Sequence, residues 1–424
     1  MSAFDKVIGY DNIKEQIFKI IDMVKNREIY NELGAKLPSG ILLSGKPGLG
    51  KTLIANCFID EVELPSFMVR RDKSDENFIG QIKKTFEKAK LNAPSVVLLD
   101  DMDKYANIDY RHKDAPEFIA VQSGIDSVSD SDVIVLATVN DIDKLPESLV
   151  RSGRFDYRFT IEEPTGEDAA KIIRYFLSSR KMTEDINIED LYRMVSNMTC
   201  AEIETVINKA TMYAGMRRKT HAEMNDLVQV VREEYFDFDN GNQNARIDVK
   251  KVALHEAAHA VVSEVLCQGS VGMVAIKKIG DKSPGGFVHT CGTDGDISSL
   301  ILISLASKAA MDLYYGDSQN YGVVSDLRKA HVMVKDSILQ SAKYGFSYYG
   351  ADPIRFDLSS EQRIAVSTEL ERYYNQARMI LIKNCDFLDA VTDALLKRET
   401  LLYSDIQSIK NRLNITHESS GRFV

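Results

Sequence analysis

The sequence predicts an α/β P-loop domain with a helical annex, followed by a mainly α-helical domain that binds a metal ion. Three observations carry this expectation. Near-continuous apolar runs alternate with amphipathic helical patterns in the first third of the chain. A phosphate-binding signature directly follows the first of those runs. A His-Glu-x-x-His pattern lies inside an alanine-rich helical stretch in the second half.

The apolar runs are Gly40-Ile-Leu-Leu-Ser44, Ser95-Val-Val-Leu-Leu99 and Asp132-Val-Ile-Val-Leu-Ala137. Such runs suit parallel strands buried on both faces. Helical patterns such as Ile79 to Ala89 lie between them, so helices are expected to cover the sheet. After Pro164-Thr165-Gly166 the pattern becomes four helices, to about Tyr235. A polar stretch, Asp237 to Asn244, then reads as a linker. The expected divisions are 1–165, 166–236, a linker at 237–248, and 249–424. The last is mostly helical, with strand-like residues from Val274 to Cys291.

Gly45-Lys-Pro-Gly-Leu-Gly-Lys-Thr52 fits G-x-x-x-x-G-K-[ST] and begins where the first strand ends. Gly45, Gly48 and Gly50 let successive backbone N–H groups surround a phosphate, with Pro47 and Leu49 between them. Lys51 is expected to reach the β- and γ-phosphates, and Thr52 to ligate Mg²⁺. A helix starting at Lys51 and running through Leu53 would aim its positive end at the same phosphates. The second strand runs into Asp100-Asp101, where carboxylates are needed for Mg²⁺. The third leads to Asn140, placed to orient a water near the γ-phosphate.

His255-Glu-Ala-Ala-His259 puts two imidazoles on one helix face, with Glu256 beside them as general base. A catalytic zinc wants a third protein ligand. The residue six beyond His259 is Val265, and no glutamate occurs between Glu264 and Glu361. That leaves aspartates, or His289 and His331, and residue chemistry does not choose among them.

The bulk numbers narrow the remaining classes. The chain has 424 residues, 44% hydrophobic and 27% charged, enough for two or three domains. Its net charge of −10 argues against nucleic acid as the main partner. The basic run Arg217-Arg218-Lys219 reads as a solvated helix end. Five cysteines without paired spacing read as free thiols of a reducing compartment. No uninterrupted apolar stretch approaches the ~18–20 residues of a membrane helix. A cytoplasmic protein is therefore expected, or a membrane-associated one where an anchor precedes this sequence.

With both motifs in hand, the chain resembles FtsH, the ATP-dependent zinc proteases of the AAA+ class, from about Phe4 to the C-terminal region. Phe4-Asp-Lys-Val-Ile-Gly9 resembles the segment bordering adenine, which implicates Ile8 and Gly9. Phe78-Ile79-Gly80 matches the substrate-gripping pore loop. Leu149 to Asp156 resembles the arginine-finger stretch, implicating Arg151 and Arg154, which would act on a neighbour in a homohexameric ring. Gly322-Val-Val-Ser-Asp-Leu327 matches the metal aspartate, so the resemblance selects Asp326. Gly285-Gly286-Phe287-Val288 resembles the edge strand where a peptide adds as another strand. The family's function would be ATP-driven unfolding and cleavage of unfolded or tagged proteins, with Zn²⁺, ATP and Mg²⁺.

Departures from the family pattern are specific. Its membrane helices before the ATPase have no counterpart in this sequence. Asp101 stands for the glutamate that orients the attacking water, and Asp126-Ser127-Val128 for the Asp-Gly-Phe signalling element. Cys200-Ala201-Glu202 replaces Gly-Ala-Asp in the lid, and Met311 replaces a glutamate near the zinc helices. These changes leave two other readings: a zinc peptidase gated by nucleotide with slow turnover, and a remodelling chaperone that cuts poorly.

Overall fold

The computed structural model describes residues 2–35, 38–71, 77–106, 116–150, 153–235, 248–276, 285–291, 296–316, 321–341 and 360–413. Their contacts divide into two compact units. The first is 1–181 with 197–208, and the second is 182–196 with 209–424.

In the first unit, five parallel strands are β1 (Gly40–Ser44), β2 (Ser66–Val69), β3 (Ser95–Leu99), β4 (Val133–Val139) and β5 (Tyr157–Thr160), in the order β2-β3-β4-β1-β5. Every residue of β1, β3 and β4 is buried, which is why these three read as continuous apolar runs. The short edge strands β2 and β5 are part-exposed and carried no such signal. Two apolar layers flank the sheet. Ile41, Leu43, Val96 and Leu98 face one, with Ile54 and Phe58 of the helix Lys51–Val62. Leu42, Val97, Leu99 and Val135 face the other, with Ile82 and Phe86 of the helix Phe78–Leu91. Because the strands pair in parallel, the C-terminal ends of β1, β3 and β4 lie along one rim of the sheet.

The stretch expected as a helical annex does hold four helices, Gly166–Ser178, Ile188–Met194, Cys200–Met216 and Met224–Val230. They do not stay together. The first belongs to the first unit, whereas Ile188–Met194 and the residues from Lys209 pack with the second. Asp190, for example, accepts hydrogen bonds from the backbone N–H and hydroxyl of Ser404, at 2.8 and 2.6 Å. The expected linker lies almost wholly outside the described residues.

The second unit is built on the helix Val249–Leu266, capped by Asp248, whose side chain accepts from the N–H of Lys250. Its buried residues point in every direction around the axis, so it is a central helix rather than an amphipathic one. Around it pack the helices Ile297–Tyr315, Ser360–Lys383 and Cys385–Arg398, with Tyr321–Ser341 against Ile297–Tyr315. Small residues at the seams, Ala257, Ala260, Ala306, Ala309 and Ala310, are all buried. A three-stranded antiparallel sheet completes the unit: β6 (Val271–Ile276), β7 (Gly286–Thr290) and β8 (Thr400–Leu402), in the order β7-β6-β8. At the far end of the central helix, the buried pair Glu264–Lys410, 2.8 Å apart, is further satisfied by Gln407 and the N–H of Gly269.

By length and composition the helix Ile297–Tyr315 alone among the described residues would suffice to cross a membrane. Eight of its residues are buried against its neighbours, as in a core helix.

Candidate functional site: a nucleotide cradle and a metal centre

The loop between β1 and the helix Lys51–Val62 is held by its glycines. Gly45 has φ +144, and a Cβ there would lie 2.1 Å from the carbonyl oxygen of Ile161. Gly48 and Gly50 also take positive φ. Lys51 is buried, and its Nζ donates to the carbonyls of Gly45 (2.6 Å) and Lys46 (2.8 Å) and to Oδ1 of Asn140 (2.9 Å). Burial pushes its pKa down, against the pull of Asp101, Asp103 and Asp100.

The carboxylates stand opposite. Asp100 Oδ1 accepts from the hydroxyls of Thr52 (2.9 Å) and Thr138 (2.7 Å). The two groups expected to hold Mg²⁺ therefore already meet, and their oxygens fit a hard cation. Asp101, one residue on, has left-handed backbone (φ 49). Its N–H donates to Thr138 Oγ1, its Oδ2 pairs with Lys104 at 2.6 Å, and its Oδ1 accepts from Asn140 at 3.3 Å. Burial raises the pKa of Asp101, but the bond and charge of Lys104 outweigh it, so the carboxyl sits below its ordinary value. Beside the loop a cavity of about 610 Å³ is lined by Val7, Ile8, Tyr10, Leu49, Leu53 and Cys200, among others, an apolar slot suited to a base. Gly9 is buried next to it, while Pro47 is exposed on the loop's outer side.

The metal centre converges from two helices. His255 and His259 lie one turn apart on the central helix, and Asp326 projects from Tyr321–Ser341. Asp326 Oδ2 is 3.2 Å from His255 Nε2 and 3.0 Å from His259 Nε2, and the two Nε2 atoms are 3.2 Å apart. Donors bound tetrahedrally at ~2.0–2.1 Å would stand about 3.3 Å from one another, so this triangle fits zinc with one position left open. His259 Nδ1 donates to the carbonyl of Ile303 at 2.7 Å, leaving Nε2 as the ligand nitrogen. Burial lowers the pKa of His259, but Asp326 overrides it and the net shift is upward. The two histidines in turn hold Asp326 well below the carboxylate range despite its burial. His255, His259 and Asp326 form the only group of this kind among the described residues. His289 instead makes a 2.9 Å hydrogen bond to Ser196, and His331 is exposed.

Glu256, on the same helix, feels the charges of His255, His259 and Asp326 and lies against β7. It is buried, which raises its pKa, and its side chain lies on the backbone of Gly286. A Cβ at Gly286 would come within 2.4 Å of Glu256 Cγ and 2.7 Å of Oε1. β7 and Glu256 are therefore in contact, and Phe287 is half-buried on the same strand.

Other expected residues are placed differently. Phe78 starts a helix and is only 4% exposed, edge-on to Tyr105 and capped by the Arg71 guanidinium. Ile79 and Gly80 follow, half-buried, in that helix. Arg154 is clamped within its own chain: it donates to both carboxylate oxygens of Asp126 at 2.8 Å, and to the carbonyl of Ser148. Arg151 lies outside the described residues. Two groups absent from the expectations matter here. Thr138 ties Asp100 to Asp101, and Asp103 accepts the N–H of Asn140 at 3.1 Å. The three aspartates around Met102 hinted at Asp103, but nothing in the strand sequence marked Thr138.

Residues 41–163 match the family model of the ATPase family associated with various cellular activities (AAA). Similarity to curated proteins extends much further. An ATP-dependent zinc metalloprotease FtsH of a Sulfurovum species is 27% identical over 88% of this chain and 60% of its own length. One from a Synechococcus strain is 27% identical over 96% and 70%, and one from Mycoplasma pneumoniae 28% over 98% and 63%. The chain is FtsH-like. It carries the AAA domain and a similarity that runs on through the metal centre, while spanning only about two thirds of these relatives' length.

Proposed function

We propose that this FtsH-like chain is an ATP-dependent zinc metalloendopeptidase that unfolds, translocates and cleaves protein substrates. The observation that carries the reading is the convergence of His255, His259 and Asp326 beside the buried Glu256, in a chain that also holds a complete P-loop. In this reading residues 1–236 form the motor and 249–424 the peptidase.

Zinc held by the three ligands would supply Lewis acidity, polarising the scissile carbonyl and acidifying the attacking water. Glu256 takes the proton from that water and returns it to the leaving amine nitrogen. β7 stands last in its sheet among the described residues, and an extended peptide adding beside it would align the scissile bond next to Glu256. In the motor, Lys51 and the loop N–H groups bind the phosphates, and Thr52 and Asp100 hold Mg²⁺. Asn140 and Asp101 flank the water, and Arg151 and Arg154 serve a neighbouring subunit of a homohexamer. Arg154 must first leave Asp126 to do so. Phe78, with Ile79 and Gly80, grips the substrate once the Phe78 ring leaves its buried place beside Tyr105.

Unfolded or tagged proteins are the proposed substrates and the cytoplasm the proposed location. The free state of the described cysteines is compatible with a reducing compartment. Degradation of a stable tagged protein should require hydrolysable ATP, stop with EDTA and return with zinc. Failure to degrade it, with ATP hydrolysed normally, would overturn the reading in favour of a remodelling chaperone. The pairing of Asp101 with Lys104 favours a second reading, a nucleotide-gated peptidase with slow turnover. Such an enzyme would cut flexible peptides with a non-hydrolysable analogue and spare the folded substrate.

A further inference from the structure

The buried residues of the helix Ile297–Tyr315 are Ile301, Leu302, Leu305, Ala306, Ala309, Ala310, Met311 and one polar residue, Ser307. Ser307 has no exposed surface. A hydroxyl in such an apolar seam is costly unless it is hydrogen-bonded. Its Oγ donates to Oδ2 of Asp326 at 2.9 Å, the same oxygen that faces both histidine Nε2 atoms. One turn earlier on this helix, the carbonyl of Ile303 accepts from His259 Nδ1. A single helix that contributes no ligand thus grips two of the three ligands from behind.

We propose that Ser307 is a positioning residue of the metal centre, fixing the Asp326 carboxylate so that Oδ2 is held in the ligand triangle. The competing position is on the same helix as Asp326, where Lys329 Nζ stands 3.6 Å from Oδ1 and is largely exposed. Without the hydroxyl, the carboxylate is free to rotate toward that solvated ammonium. Outer partners of this kind are commonly worth about 10–100-fold in metal affinity.

The inference rests on the reading of this site as a zinc centre, and the experiment separates the two. Zinc affinity of the full chain is measured by competition with a chelator, without nucleotide or peptide. Wild type should bind one zinc per chain, Ser307→Ala about 10–100-fold more weakly. Ser307→Thr, which keeps the hydroxyl, should stay within about threefold of wild type. In the cobalt-substituted protein, the d–d bands of Ser307→Ala should shift, reporting an altered carboxylate ligand. Alanine is smaller than serine and favours helix, so melting of the metal-free variant should match wild type. Unchanged zinc affinity in Ser307→Ala overturns the proposal, as does equal loss in the alanine and threonine variants, which would make the effect one of packing. A wild-type chain that binds no zinc overturns the reading of the site itself.

Discussion

The nucleotide cradle and the metal centre solve the same problem, holding a charged group in a fixed place, with opposite materials. The cradle uses backbone: a glycine-rich loop at the end of β1, with side chains from the ends of β3 and β4 closing it. Its contacts are shared, since Lys51, Thr52, Thr138, Asn140 and Asp101 are linked in one hydrogen-bonded net. The metal centre uses three side chains from two rigid helices, and a third helix behind them. Among the described residues no second group of this kind stands by to replace it. The comparison teaches that damage to the cradle's carboxylate side, around Asp101, should be graded, whereas loss of a metal ligand should be nearly all-or-none.

The largest expected effect tests that contrast directly. Glu256→Gln should cut peptide hydrolysis by roughly 10³-fold, within the range of general-base catalysis, with zinc content and ATP turnover near wild type. Asp326→Ala should lose bound zinc, while His289→Ala and His331→Ala keep it. Metal analysis and a fluorogenic peptide assay report both results. The reciprocal variant, Lys51→Ala, should abolish ATP hydrolysis and leave cleavage of a short flexible peptide within about threefold of wild type. If Lys51→Ala also silences peptide cleavage, the two sites are obligately coupled.

A smaller effect is expected at the seam between Glu256 and β7. Gly286→Ala puts a methyl where Glu256 Cγ now lies, so the carboxylate must swing aside. Displacing a catalytic group by about 1 Å can cost as much as 10²-fold. The variant should lose about 10–100-fold in kcat while zinc affinity holds. Loss of zinc together with activity would mean that the strand supports the ligands as well.

The contrast between the sites also explains what could be read in advance. The P-loop and the His-Glu-x-x-His pair were legible because each is contiguous: local backbone geometry alone brings Gly45 to Thr52, or His255 to His259, into range. Asp326 was not, since it lies 67 residues from His259 and residue chemistry alone left several aspartates and two histidines open. Family likeness selected it, and the three-helix packing brings it to the site. Ser307 left no trace at all, being one serine among several in an apolar helix. The fold followed the same rule. The fully buried strands β1, β3 and β4 announced themselves, but β2, β5 and β8 are short and half-exposed. The helices of the annex were recognisable by periodicity. Their division between two units was not, because it depends on partners such as Ser404, distant in sequence.

The smallest effect is expected at Asp101, where sequence and structure pull in different directions. The acid here is one methylene shorter than the glutamate of the resembled family, which places its carboxylate about 1 Å back from the water it would orient. The structure adds that Oδ2 is occupied by Lys104 and that the residue takes left-handed backbone. That conformation suits aspartate, whose short side chain bonds locally, better than glutamate. Asp101→Glu should therefore gain reach at a cost in stability. ATP turnover is expected to rise by about three- to tenfold, well under the ~10²-fold that full misplacement can cost, with Tm slightly lowered. Lys104→Ala, which frees the native carboxylate without lengthening it, should change turnover by less than Asp101→Glu. Steady-state ATPase rates and degradation of a folded tagged substrate read the outcome. A rise in both marks the native enzyme as a slow motor. A fall in turnover would mean that the net of Thr138, Asn140 and Lys104 is built around the shorter acid, and that Asp101 is already correctly placed.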